Sequence, residues 1–187
     1  LFLAILPFPI LVLPFLIIFW GLWTLEPHVG FLRPSGSGFA GAVSFQPFEA
    51  VLRSLGESLF SPMVLSGVLF LCGVFVSNWR HGVIALLGAA IGTMVSYYSR
   101  HVDPGRADLG RYGFNGVLAG VSVYVFCGGK LRLSVLAALL ATILTPAISS
   151  FGVPALSAPF VLTTWLMLAL GWVEDTWFAV LEEPEST

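Results

Sequence analysis

Charge is what this sequence has least of. Only 10% of its 187 residues are charged, against roughly 25% in a soluble globular domain. The net charge of −2 comes with no basic stripe and no glycine-rich phosphate loop, so nothing points to nucleic acid. Cysteine is equally sparse. Cys72 and Cys127 lie in apolar runs, at no metal-ligand spacing, and read as buried small hydrophobes. His28, His81 and His101 stand near the ends of apolar runs without carboxylate or cysteine partners at ligand spacing, and read as loop residues. No nucleophile, base and orienting acid can be grouped, so the expectation is no enzyme, no metal and no cofactor. A leader pattern is missing too. The chain opens on Leu1 in an uncharged run that lasts until Glu26, without a basic first segment or a small-residue cleavage site, and Pro7, Pro9 and Pro14 break the apolar stretch.

What is present is apolar. Hydrophobic residues make up 57% of the chain, the mean hydropathy is +0.95, and there are 16 Phe and 6 Trp. That composition reads as an integral membrane protein whose aromatics fill lipid-depth packing and interfacial belts. It also contains one pattern twice. Pro154, Leu156, Pro159, Phe160 and Trp165 recur as Pro9, Leu11, Pro14, Phe15 and Trp20, every pair 145 positions apart (165 − 20 = 145). The spacing predicts an internal repeat of about that length. Residues 1–25 then read as the last span of a preceding repeat, which makes this sequence a piece of a longer chain. Residues 26–46, with Pro27, Pro34 and the Ser35-Gly36-Ser37-Gly38 run, read as the linker between repeats.

The second repeat is expected over 47–175. From 47 to 60, Phe48, Val51, Leu52, Leu55 and Leu59 keep helical spacing, while Glu49, Arg53 and Glu57 fall four apart on another face. A helix of that length is too short to cross a hydrocarbon core that needs about 20 residues. It either lies in the interface or enters the membrane partway. Five apolar spans follow, at 63–79, 83–98, 112–127, 131–150 and 153–173, with charge almost wholly between them and an acidic tail at 176–187. An odd number of spans per repeat turns consecutive repeats upside down. If each repeat has five transmembrane helices and one re-entrant helix, the expected fold is an all-α integral membrane protein of the inverted-repeat channel or transporter kind. Basic residues in alternate loops nearly balance, so absolute orientation is not readable.

Gly113, Gly116 and Gly120 surround Phe114 and Asn115. Such glycines give a close helix-packing face with Asn115 bonded across it, or they set Phe114 and Leu118, one turn apart, on a pore wall. The run Tyr112-Gly113-Phe114-Asn115-Gly116-Val117-Leu118-Ala119-Gly120, together with Pro154-Ala155-Leu156-Ser157-Ala158-Pro159-Phe160-Val161-Leu162-Thr163-Thr164-Trp165, closely resembles the bacterial urea transporters. The resemblance continues through Leu55 to Phe60 and Leu65 to Phe70, and covers about residues 47–175. It implies a two-repeat inverted fold in the cell inner membrane, assembled as a homotrimer with a pore in every subunit. It further implies passive conduction of urea without cofactor or coupling ion. By matching position, Glu57 and Phe60 would lend oxygens and an aromatic wall to the filter. Phe114 and Leu118 would form the facing slot wall, and Thr164, with Thr163 beside it, the hydroxyl near the narrowest point. One departure stands out. At the repeat offset Thr163 and Thr164 correspond to Ile18 and Phe19, so the earlier copy lacks the hydroxyl. Channels for another small amide or for ammonia, and a non-conducting membrane assembly subunit, are the competing readings.

Overall fold

A computed structural model describes residues 9–29, 46–98 and 113–179, with side chains to Glu26 in the first stretch and to Val173 in the last. Most of the 26–46 linker, the charged loop from Arg100 to Arg111, Tyr112, His101 and the acidic tail beyond 179 lie outside the described residues. Among those described there are seven helices and no strand: α1 Leu13–Val29, α2 Pro47–Glu57, α3 Val64–Ser77, α4 Trp79–Tyr98, α5 Gly113–Phe126, α6 Leu131–Ser149 and α7 Ala158–Ala179.

Large apolar side chains face outward in this bundle and small residues face inward. On α4 the buried positions are Gly82, Ile84, Ala85, Gly88, Ala89, Gly92, Thr93 and Ser96, while Val83, Leu86, Leu87, Met94, Tyr97 and Tyr98 are exposed. Helix α6 buries Ser134, Ala137, Ala138, Ala141, Thr142 and Thr145 and exposes Leu136 and Ile143. A protein that must hide hydrocarbon from water does the reverse; surrounded by lipid, helices gain by close backbone approach, which small residues allow. Glycines deliver that approach where α4 meets α5. A Cβ at Gly88 would lie 2.6 Å from the Gly116 carbonyl oxygen, and one at Gly92 would lie 2.5 Å from the Gly113 Cα. Buried hydroxyls bond back to their own helices, as Thr142 to the Ala138 carbonyl at 2.8 Å and Ser96 to that of Gly92 at 2.6 Å. No charged side chain is buried among the described residues.

Among the described residues two helices, α4 and α6, are long and apolar enough to cross a membrane; α3 and α5 have only 14 residues each, or about 21 Å of helix. Helix α4 starts at Trp79, four residues before the apolar run does. Asn78 is extended and its Oδ1 accepts the Arg80 N–H at 3.0 Å, a helix cap. That cap corrects the reading of His81 as a loop residue. It stands in the first turn of α4, edge-on to the Tyr124 ring at 5.9 Å. The cysteines are corrected as well: Cys72 is exposed and Cys127 half-buried. Helix α3 presses Gly67 against the Leu52 backbone carbonyl and packs Val64, Phe70 and Leu71 on the core around Leu52, Leu55 and Ala85, while Leu65, Leu69 and Val76 stay exposed.

Helices α1 and α7 both begin after a break, and the two breaks match bond for bond at the repeat offset. Leu13 N–H donates to the Ile10 carbonyl and Ala158 N–H to that of Ala155; Leu16 donates to Val12 and Val161 to Ser157. Leu11 and Leu156 both adopt left-handed backbone, φ 52° and 45°. The contact between the two elements is crosswise. Trp20 Nε1 donates to the Pro154 carbonyl and Trp165 Nε1 to the Pro9 carbonyl, each at 2.9 Å. From the start of α1 to Trp20 is about 10 Å at 1.5 Å per residue. Parallel helices would need both Pro–Trp pairs displaced in opposite senses by more than that. Only an antiparallel α1 and α7 close both bonds.

Candidate functional site

Helix α2 is short and enclosed. Ala50, Leu52, Ser54, Leu55 and Gly56 are buried, against α3, α4 and α5. The apolar stripe expected there is only half used, since Phe48 and Leu59 are exposed. Backbone contact explains this. The Gly67 backbone presses on the Leu52 carbonyl, and a Cβ at Gly56 would meet the Ser61 carbonyl oxygen at 2.5 Å. Ser54 abuts Gly113, the first residue of α5, and its hydroxyl lies 3.4 Å from that of Thr93 on α4. On the other face Arg53 pairs with Glu49 at 2.9 Å. Glu57 continues that row one turn further on, half-buried and with an interaction of its own.

The chain then reverses. The Glu57 carbonyl accepts the Phe60 N–H at 2.8 Å, and Gly56 accepts those of Leu59 and Ser61. Phe60 sits at φ 58°, a left-handed conformation that disfavours a residue with a Cβ by about 1–2 kcal/mol. Its ring is turned out, 74% exposed, and meets the Phe15 ring at 6.1 Å. From there an aromatic row climbs α1: Phe15 to Phe19 at 6.0 Å, and Phe19 stacked on Trp23 at 6.3 Å. The spacing of four residues puts these rings on one face of a helix.

Opposite, α5 and α7 meet around a buried polar group. Asn115 is fully enclosed, and its Nδ2 donates to Thr145 Oγ1 at 3.1 Å and to the Leu156 carbonyl at 2.9 Å. Of the two readings of the glycine-rich run, the close packing face with a bridging amide is what the contacts display. Phe114 and Leu118 are both half-buried, and Leu118 packs against the cluster that contains Phe160, Val161 and Met167 of α7. Thr163 and Thr164 are fully buried, and neither Oγ1 has a hydrogen-bond partner; Asn115 Oδ1 is the third such atom.

Of the residues singled out from sequence, Glu57 and Phe60 thus share the tip of α2, and Leu118 shares a core with the α7 segment that carries Thr163 and Thr164. The sequence reading gave no site role to Phe15, Phe19, Trp20 or Asn115. Phe15, Phe19 and Trp23 were visible at i, i+4, i+8, and Trp20 and Trp165 were visible as repeat partners. That an indole of each segment would bond the backbone of the other was not.

Small residues inside, hydrocarbon outside, and a short helix half buried in the bundle and ending on exposed rings together define a helical membrane protein. The family model described as Urea transporter matches residues 48–187, which include all six site residues named from sequence. The chain belongs to the urea transporter family. It is accordingly a membrane-embedded helical protein of a transport family rather than an enzyme family, with urea as the substrate carried across the membrane.

Proposed function

We propose that the chain forms half of a channel-type path through which urea passes passively, between aromatic walls and along a series of oxygens. Phe60, Phe114 and Leu118 supply the walls; Glu57, Thr164 and Thr163 supply the oxygens. The observation that carries this reading is Phe60, held in a strained backbone at the tip of an enclosed short helix with its ring turned out against Phe15. Strain of this kind persists only where surrounding structure enforces it. Urea is planar, with four N–H donors and one acceptor. A slot between ring faces orients it edge-on, and oxygens replace the water its N–H groups give up, a loss worth roughly 2–7 kcal/mol per unpaired group. Acceptors of similar strength in succession keep binding weak enough for exit. The orphaned hydroxyls of Thr163 and Thr164 are capacity that no protein group uses.

In the same reading α1 is the last span of one repeat, 47–175 is the next, and the two are inverted. The crosswise Trp–Pro bonds support this, because an exchange of identical contacts between equivalent positions is what a two-fold axis produces, and for antiparallel membrane spans such an axis would lie in the membrane plane. A homotrimer in a bacterial inner membrane, with one path per subunit, completes the proposal. A second reading, a channel for another small amide or ammonia, is favoured by one feature: Phe19, the repeat counterpart of Thr164, lies in the aromatic row and offers no hydroxyl. Stopped-flow light scattering on proteoliposomes, comparing urea with acetamide, ammonia and water, separates the two. Urea flux that is fastest of the four and blocked by thiourea supports the first reading; acetamide or ammonia outrunning urea replaces it by the second.

A further inference from the structure

We propose that Trp20 and Trp165 are positioning residues whose crosswise hydrogen bonds fix the register of α1 against α7, and through it how the Phe15 ring sits against Phe60 at the mouth of the proposed path. The inference rests on the proposed path and adds to it what holds its mouth in one arrangement. Each indole serves a carbonyl that its own helix leaves free. Ala158 N–H bonds to the Ala155 carbonyl and Leu13 N–H to that of Ile10, so neither Pro154 nor Pro9 is used by the residue four positions on. In hydrocarbon such a carbonyl must find a donor within the protein. The donor in each case comes from the other helix, at 2.9 Å, so the two bonds can be closed together in only one sliding position.

Two further observations tie that position to the path. The stretch between Pro154 and α7 is held a second time, by Asn115 from α5 on the Leu156 carbonyl, and Leu156 is itself left-handed. Helix α7 is thereby fastened to α5, the helix that bears Phe114 and Leu118. Helix α1 is held against α7 by Leu16, packed in the core, and by the two directional indole bonds, and Phe15 lies six residues after Pro9 and five before Trp20. A shift of α1 moves Phe15 relative to Phe60 directly. Both indoles also pack against the core formed by Leu16, Phe160 and Met167, so phenylalanine in place of either removes the N–H and keeps a smaller ring in part of the space.

Trp20→Phe and Trp165→Phe, singly and together in the full-length protein, test this. Flux of urea is compared with that of N-methylurea, and folded yield is followed by gel filtration. Each single change is expected to lower the urea to N-methylurea ratio about threefold, the size of one interhelical hydrogen bond in a membrane, and the double change to lower it further, at unchanged folded yield. A second measurement is independent of transport. With Cys72 and Cys127 replaced by Ala, cysteines at Phe15 and Phe60 are bridged by a short bifunctional thiol reagent, and the bridging rate is expected to fall in either Trp→Phe background. An unchanged bridging rate in both overturns the proposal, as does an unchanged selectivity ratio or a loss confined to folded yield. If the unaltered protein moves no urea while the bridging rate still falls, the register device stands and the proposed path is what fails.

Discussion

Replacing Asn115 with leucine should destabilise the protein by about 2–4 kcal/mol, a figure that follows from the two hydrogen bonds it makes. Its Nδ2 is the donor to Thr145 Oγ1 on α6 and to the Leu156 carbonyl at the break before α7. Two such bonds contribute roughly 0.5–1.5 kcal/mol each, and a buried carbonyl left without a donor adds about 1–3 kcal/mol. Membrane interiors sit at the low end of that range, near 0.6 kcal/mol per interhelical bond. The acceptors do not suffer equally. Thr145 also donates to the Ala141 carbonyl at 2.9 Å and so keeps a partner, whereas the Leu156 carbonyl is the one that goes unserved. Most of the loss therefore belongs to the break at Leu156. A domain of this size loses about 2–4 °C in Tm per kcal/mol, so a drop of roughly 5–15 °C is expected when unfolding is followed in detergent. Thr145→Val should cost less than Asn115→Leu. Combined with it, Thr145→Val should add little, because the shared bond is already gone. A Tm within about 2 °C of the unaltered protein would refute the argument, since it would mean that the Leu156 carbonyl needs no donor from α5.

The remaining expectations concern packing, the path and topology. Gly67→Ala would drive a Cβ into the Leu52 carbonyl and should abolish folded yield by gel filtration, while Gly73→Ala, with nothing within 4 Å, should be tolerated. Glu57→Gln keeps a carbonyl acceptor and should conduct urea at a reduced rate; Glu57→Leu removes it and should cut flux about ten- to a hundredfold. Near-normal transport by the leucine variant at matched expression would remove Glu57 from the site. Tags at Gly38 and Thr187 bracket an odd number of spans in the inverted reading and should be cut by protease from opposite sides of the membrane; cleavage of both from one side contradicts it.

How much of this could be read from the chain depends on what carries the information. Helical segments were legible because runs such as 83–98 are bounded by charge, with Arg80 before and Arg100 after, and α4 ends where that run does. The break between α3 and α4 was less so, because a single residue, Asn78, both ends one helix and caps the next. The left-handed residues Leu11, Phe60 and Leu156 were not legible at all. Local preference would assign such backbone to Gly or Asn; at Leu156, a side chain from another helix holds the carbonyl, and at Phe60 the Gly56 turn does. Likewise the Pro and Trp identities 145 apart were visible, but the exchange of bonds between the two segments is a property of two helices brought together. The named site residues came from family resemblance, and the aromatic row on α1 was overlooked because each ring there, taken singly, reads as a lipid-facing apolar residue.

The central claim, that urea crosses passively through a path in this protein, is tested most directly by urea-driven swelling of proteoliposomes with equal salt and pH on both sides and the membrane potential clamped at zero. The account predicts swelling faster than in protein-free vesicles, saturating as urea is raised, and unaffected when a proton or sodium gradient is then imposed. Swelling no faster than in protein-free vesicles, or swelling that requires such a gradient, would contradict it.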